Sequence, residues 1–312
     1  MAEWTQTQLL HALEPVVEKE LNRHLATSKE WFPHAYIPWS EGRDYDGPLD
    51  GEAWDPMQAK VSEVAQTALV VNLLTEDNLP SYHREIYRVF GPDGAWGTWV
   101  GRWTAEEGRH GIALRDYLLT TRAVDPVELE RERMAHMTEG YNTASDLDML
   151  HTVAYVSFQE LATRISHRNT GKFTEDPVAD ALLAKIAADE NLHMLFYRNL
   201  LAGAFEIAPD QTMQAVWDVV STFAMPGSGL ANFTRRSIQI AQAGIYDLRI
   251  HRDEVLAPIL RKWKVWDAEG LSGEAEAARE RLAAFLDELD TKASRFEERR
   301  EKQRARLAER IS

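Results

Sequence analysis

Two stretches of this 312-residue chain place a carboxylate and an imidazole three residues apart. They are Glu107 and His110 in Trp103-Thr104-Ala105-Glu106-Glu107-Gly108-Arg109-His110, and Glu190 and His193 in Asp189-Glu190-Asn191-Leu192-His193. On a helix each pair lies one turn apart on one face, where an oxygen and a nitrogen can address the same transition-metal ion. Glu76 precedes Glu107 by 31 positions and Glu160 precedes Glu190 by 30. The order Glu, Glu-x-x-His, Glu, Glu-x-x-His thus repeats with nearly equal spacing, about one helix, a turn and part of the next. That is the donor pattern of ferritin-like two-metal carboxylate bundles. Two histidines and four carboxylates suit iron or manganese, and the spacing does not choose between them.

Acidic residues occupy 50 of 312 positions, so chance alone supplies some carboxylate-x-x-His pairs. A third pair, Asp148 and His151, tests the pattern. It has no matching partner, and His151 lies nine residues before Glu160. Nine steps of about 100° put the two on opposite faces of one helix. Asp148–His151 therefore reads as structural.

The elements that must position the donors follow from periodicity and punctuation. Thr5 to Leu25 reads as an amphipathic helix. Trp31 to Pro56 is irregular, broken by Pro33, Pro38, Gly42, Gly47, Pro48, Gly51 and Pro56. A stretch of that length is expected to wrap the body or line an entrance, with Trp31, Phe32, Tyr36 and Trp39 packing onto the core. Val61 to Leu79 reads as a helix stopped near Pro80, its apolar Ala65, Ala68, Leu69 and Leu73 sharing a face with Glu76. A short helix, Ser81 to Phe90, a Gly91-Pro92-Asp93-Gly94 turn and a long helix, Ala95 to Thr121, come next. Val127 to Thr138 is charged and peripheral. Leu147 to Ser166, apolar almost all round, reads as a central buried helix with Glu160 in its middle. Pro177 to Phe205 is the fourth bundle helix, and Thr212 to Phe223 a further one.

No segment shows strand alternation bounded by hairpin turns, so the fold class is all-α, a ferritin-like four-helix bundle elaborated with additional helices. The expected organisation is one unit over 1–312. A core bundle spans about 61–205, after an N-terminal helix and wrapping segment (1–60). Further helices follow at 206–270, then a charged helical tail at 271–312.

Composition bounds what else the chain does. It has no cysteine, which excludes disulfides, cysteine zinc sites and a self-ligated iron–sulfur cluster, and fits a reducing, cytoplasmic setting. Met1-Ala2-Glu3-Trp4 is not the start of a signal peptide, and no stretch of about 18 uninterrupted apolar residues offers a transmembrane segment. A formal charge of −15 argues against nucleic-acid binding. Against that background, Gly229 to Lys264 carries seven basic residues and three acidic ones.

With these residues in view, the chain resembles the soluble acyl-(acyl carrier protein) desaturases, the stearoyl-type di-iron family of plants and actinobacteria, the mycobacterial members most of all. The resemblance runs from about Leu9 to Leu271. Its anchors are Thr75-Glu76-Asp77-Asn78-Leu79-Pro80, Trp103 to Gly111, Ser157-Phe158-Gln159-Glu160 through Ile165-Ser166-His167-Arg168-Asn169-Thr170, and Ala188-Asp189-Glu190-Asn191-Leu192-His193. The resemblance implies two iron ions held by Glu76, Glu107, His110, Glu160, Glu190 and His193, with Glu107 and Glu190 bridging. It places Thr163 on the oxygen side and makes Trp31, Asp189 and His110 an electron route to the metal. It departs at Gly108, where the plant pattern has asparagine. His167 matches a family histidine but reads as a satisfied core or surface residue. Tyr82, Tyr155 and Tyr197 read as packing.

The activity so implied is oxygen-dependent insertion of a cis double bond into a saturated acyl chain carried on acyl carrier protein (ACP). No Gly-x-Gly-x-x-Gly fingerprint follows a strand, so electrons come from outside, in this family from ferredoxin. The acidic ACP needs a basic landing site, expected from Arg235, Arg236, Arg249, Arg252 and Lys262. A homodimer is the family expectation. Two other readings share the bundle: a different di-metal oxidase or hydroxylase, and a non-enzymatic iron-binding helical protein.

Overall fold

The computed structural model describes residues 3–140 and 148–311. Met1 and Ala2, cited above against a signal peptide, lie outside those residues, as does Leu147, the expected start of the third bundle helix. Among the described residues there is no strand, only an isolated bridge between Tyr45 and Glu52. The helices, in chain order, are α1 (Gln6–Thr27), α2 (Glu63–Asp77), α3 (Leu79–Phe90), α4 (Gly94–Thr120), α5 (Pro126–Glu139), α6 (Met149–Phe173), α7 (Pro177–Ile207), α8 (Pro209–Thr222) and α9 (Phe233–Ala243). Then come α10 (Leu248–Ile250), a π-turn (His251–Leu256), α11 (Ala257–Lys262) and the 39-residue α12 (Gly273–Ile311).

Local chemistry explains where the helices begin. Thr5 and Gln8 form a reciprocal capping box at α1. Asp125 and Asp176 cap α5 and α7 and are each followed by proline, whose missing N–H costs nothing in a first turn. Asp148 caps α6 through the His151 amide, so the third carboxylate–histidine pair is a helix start, as its lack of a partner suggested. Pro80 does not terminate α2. It sits in the first turn of α3, while α2 stops at Asp77.

α6 is longer than the apolar pattern indicates, running seven residues past Ser166 to Phe173. The polar residues that end the pattern are spent on tertiary contacts. Ser166 donates to Asn72 Oδ1, His167 meets Glu76, and Asn169 donates to the Ile245 carbonyl. The wrapping segment follows expectation only in part. Trp31 is buried, but Phe32 and Trp39 are about half exposed. Buried Arg122 fastens this segment, donating to Gln58 Oε1 and the Glu52 carbonyl while lying over the Tyr45 ring.

α2, α4, α6 and α7 form the bundle, and α1 packs across α4 and α7 from outside it. Two apolar clusters fill it. One holds Trp96, Trp99 and Trp103 of α4, Met194 to Ala204 of α7 and most of α6. The other holds Ala65 to Leu73 of α2, Ala113 to Leu118 of α4 and Ala179 to Ile186 of α7. Between the two lies a polar layer containing Glu107, His110, Glu190 and His193. A buried carboxylate layer is costly unless something compensates its charge.

Candidate metal centre

All six predicted donors converge in that layer, each less than 10% exposed and both histidines fully buried. They fall into two sets of four whose donor atoms lie within 4.8 Å of one another: Glu76, Glu107, His110 and Glu190, and Glu107, Glu160, Glu190 and His193. Glu107 and Glu190 belong to both sets. His110 Nδ1 is 3.6 Å from Glu76 and Glu107 and 3.3 Å from Glu190. His193 Nδ1 is 2.8 Å from Glu107 and 3.5 Å from Glu160.

The atoms that face inward lack hydrogen-bond partners. Glu107 Oε1, His110 Nδ1, Glu160 Oε2, both Glu190 oxygens and His193 Nδ1 are buried and unsatisfied. Burying that many unpaired polar atoms costs about 1–3 kcal/mol each, a cost that metal–ligand bonds remove. The protonation balance points the same way. Burial and the charges of Glu107 and Glu160 push the Glu190 carboxyl well above the usual range. Burial would also raise Glu107, but the adjacent His110 and His193 imidazoles hold it well below. Neighbouring carboxylates share protons this unevenly when no cation neutralises them. The donor set, hard oxygens with two imidazoles, fits iron or manganese.

The outward-facing atoms are the satisfied ones. His167 Nε2 donates to Glu76 Oε1 at 2.9 Å, so this histidine is the satisfied core residue expected, and the group that satisfies it is a candidate donor. Trp103 Nε1 donates to Glu160 Oε1 at 3.0 Å. Asp189 Oδ2 accepts from Trp31 Nε1 at 2.6 Å, Arg109 at 2.8 Å and His110 Nε2 at 3.4 Å, and Oδ1 accepts from Lys185 at 3.1 Å. Burial would raise the Asp189 carboxyl, but the His110 hydrogen bond and charge, the Trp31 bond and Lys185 bring it down to about 2. Trp31, Asp189 and His110 are therefore contiguous, with the Trp31 and His110 rings stacked at 6.3 Å. Glu106 and His24 also reach this layer, and sequence spacing gave no sign of either. Gly111 lets α2 approach α4 here, since a Cβ in its place would lie 2.8 Å from Asp77 Oδ1.

An apolar groove opens beside the donors, with a volume of about 840 Å³ counted to its mouth. Leu79, Ile86, Val89 and Val156 line it, and Glu76, Glu107 and Thr163 form its metal-side wall. Thr163 spends its hydroxyl proton on the Gln159 carbonyl at 2.6 Å. Tyr82 and Tyr155 line the groove as well. Tyr197 is fully buried in the adjoining aromatic cluster.

The five basic residues expected to receive a partner are divided. Arg236 is clamped by both Glu132 oxygens. Arg249 pairs with Asp290 and Glu297 of α12, and Arg252 with Asp253 and Asp290. Charge excess along the sequence overstated the patch, because the acidic face of α12 folds back onto it. Arg235 and Lys262 remain exposed.

Residues 5–312 match the family model described as fatty acid desaturase. A Mycobacterium tuberculosis protein provisionally named acyl-ACP desaturase DesA1 is 54% identical, the match covering 98% of this chain and 93% of that one. A chloroplastic stearoyl-ACP 9-desaturase of Oryza sativa is 30% identical over 93% of this chain and 76% of its own. Among solved structures, the X-ray structure of the M. tuberculosis DesA2 superposes with a TM-score of 0.69 at 30% identity, covering 86% of this chain and 98% of that one.

Proposed function

The chain belongs to the fatty acid desaturase family and is an acyl-ACP desaturase, and on that premise we propose that it works with two iron ions, taking electrons from an external ferredoxin. The observation that carries this reading is the pair of overlapping four-donor sets sharing Glu107 and Glu190 beneath an apolar groove. In the reaction two adjacent methylenes of a saturated chain lose two hydrogens, and one O2, two electrons and two protons complete the formation of two waters. Iron, when bound, supplies the oxygen-dependent redox chemistry that side chains lack.

The protein's own part is positional. The groove holds the alkyl chain away from water against the Glu76–Glu107 wall, so that one pair of methylenes is presented. His167 and Trp103 orient Glu76 and Glu160. Asp189 keeps the His110 Nε2 proton, which leaves Nδ1 as the donor atom. Trp31, flanked by the Arg109 and Lys185 cations, is the entry point we assign to electrons. The whole chain acts as one unit, as a homodimer in the cytoplasm; no helix among the described residues is long and apolar enough to cross a membrane. Arg235 and Lys262 are the part of the basic set we retain for ACP.

The test is to incubate iron-loaded protein with ACP esters of several chain lengths, reduced ferredoxin and oxygen, and to locate the double bond. A cis alkene at one fixed position supports the reading. A hydroxylated chain, or consumption of oxygen with the acyl group unchanged, would move the protein to another class of di-metal oxidase.

A further inference from the structure

The N-terminal helix, which lies outside the four-helix bundle, reaches the donor layer through one side chain. His24, in the last turn of α1, is fully buried, and its Nε2 is 2.9 Å from Glu106 Oε2. The same oxygen is 2.9 Å from His193 Nε2. An ionised carboxylate only accepts hydrogen bonds, so both rings must carry their proton at Nε2. For His193 this fixes the tautomer whose Nδ1 lone pair faces Glu107, Glu160 and Glu190. The other Glu106 oxygen is 2.5 Å from Arg102, which compensates its charge. The two imidazoles lie stacked at 5.8 Å, and Trp99 closes both edge-on.

The other histidine ligand is held differently. His110 leans on Asp189, which is anchored by Trp31, Arg109 and Lys185, none of them in α1; the link between the two sides is Arg109, whose guanidinium also lies 3.7 Å from the Glu106 oxygen that Arg102 holds. We infer that Glu106 and His24 are positioning residues for His193, so that docking of α1 completes the Glu107–Glu160–Glu190–His193 half of the centre and bears on the Glu76–Glu107–Glu190–His110 half only indirectly, through Arg109. The inference rests on reading the six donors as a two-metal centre. It makes the N-terminal helix part of the metal-binding apparatus. Partners of a ligand histidine typically affect metal affinity by about 10–100-fold, and here the effect falls on one ion of the two.

The test is a titration of metal-free protein with Co2+ under anaerobic conditions, following the visible absorption of each bound ion. Wild type should take two equivalents. His24→Leu should bind the first as wild type does and the second about 10–100-fold more weakly. His24→Gln, which returns an N–H donor near the Nε2 position, should recover most of that loss. Hydrogen exchange supplies an independent readout: the second equivalent should slow exchange in the last turns of α1 in wild type and His24→Gln, but not in His24→Leu. If His24→Leu does not fold, Glu106→Gln against His24→Gln makes the same comparison. Equal weakening of both equivalents, or none in a folded variant, would overturn the inference. Failure of wild type to bind two ions would instead overturn the metal-centre reading beneath it.

Discussion

Within the donor layer each ligand histidine presents one nitrogen inward and has the other tied to a carboxylate, while Glu76 and Glu160 are each held by a neighbour's N–H. That division makes the supporting residues testable without touching a ligand. His167→Ala removes the one N–H that holds Glu76 and should weaken the ion on the His110 side by about 10–100-fold while the second is retained. Metal content after dialysis against a weak chelator reads this directly, and full retention of both ions would return His167 to a packing role. The convergence of the six candidate donors was legible because i,i+3 spacing on a helix is a local rule and because the pattern occurs twice. His24 and Glu106 were not, since 82 positions separate them and no periodicity reports a contact made only by packing. His167 is the satisfied core histidine expected, but its partner, 91 residues away, could not be named for the same reason.

Helix–helix approach depends on a few positions, and two glycines of α4 differ in what a side chain would meet. A Cβ at Gly111 would lie 2.8 Å from Asp77 Oδ1, so that carboxylate must swing aside, whereas a Cβ at Gly108 would meet only Leu79 Cδ2 at 3.7 Å. Gly108→Ala should therefore raise stability by up to about 1 kcal/mol through helix propensity. Gly111→Ala should forfeit that gain, because the Asp77 carboxylate must turn away from its place, and metal content should stay as in wild type. Thermal unfolding of the two variants with metal analysis checks both, and identical behaviour would refute the distinction. At the π-turn, His251 stacks on Phe223 at 5.0 Å and accepts a hydrogen bond from the Tyr246 hydroxyl. Burial lowers its pKa from 6.5 to about 4. Below pH 6.5 the unfolded chain takes up a proton that the native ring refuses, so stability falls as pH drops from 6.5 towards 4 and is unaffected above 6.5. The loss reaches about 3 kcal/mol, and denaturant titrations of His251→Phe should show that much less acid sensitivity; an unchanged acid limb would contradict it. Most helix ends were readable from caps and prolines. The π-turn and the extension of α6 were not, because buried polar residues there serve tertiary contacts.

Across the whole molecule the formal charge of −15 must be reconciled with an acidic carrier. α12 lays Asp290 and Glu297 against Arg249 and Arg252, while Arg235, Arg261, Lys262 and Lys264 of the same segment stay exposed. Charge reversal at exposed Arg235 and Lys262 should raise the KM for acyl-ACP about ten-fold at low ionic strength and much less at high salt, with kcat little changed. An unaltered KM would move the carrier site elsewhere. Fold class and bundle order were legible in full, whereas the surface was not, since linear charge counts ignore which face a later helix covers.

The proposed function depends on the candidate donors of α2, α4, α6 and α7 binding two metal ions. Diffraction from crystals of the iron-loaded protein, recorded at the iron absorption edge, tests that most directly. The account predicts two anomalous peaks roughly 3.5–4 Å apart, both against Glu107 and Glu190, one beside His110 and the other beside His193. A single peak, or iron bound only at surface carboxylates, would contradict it.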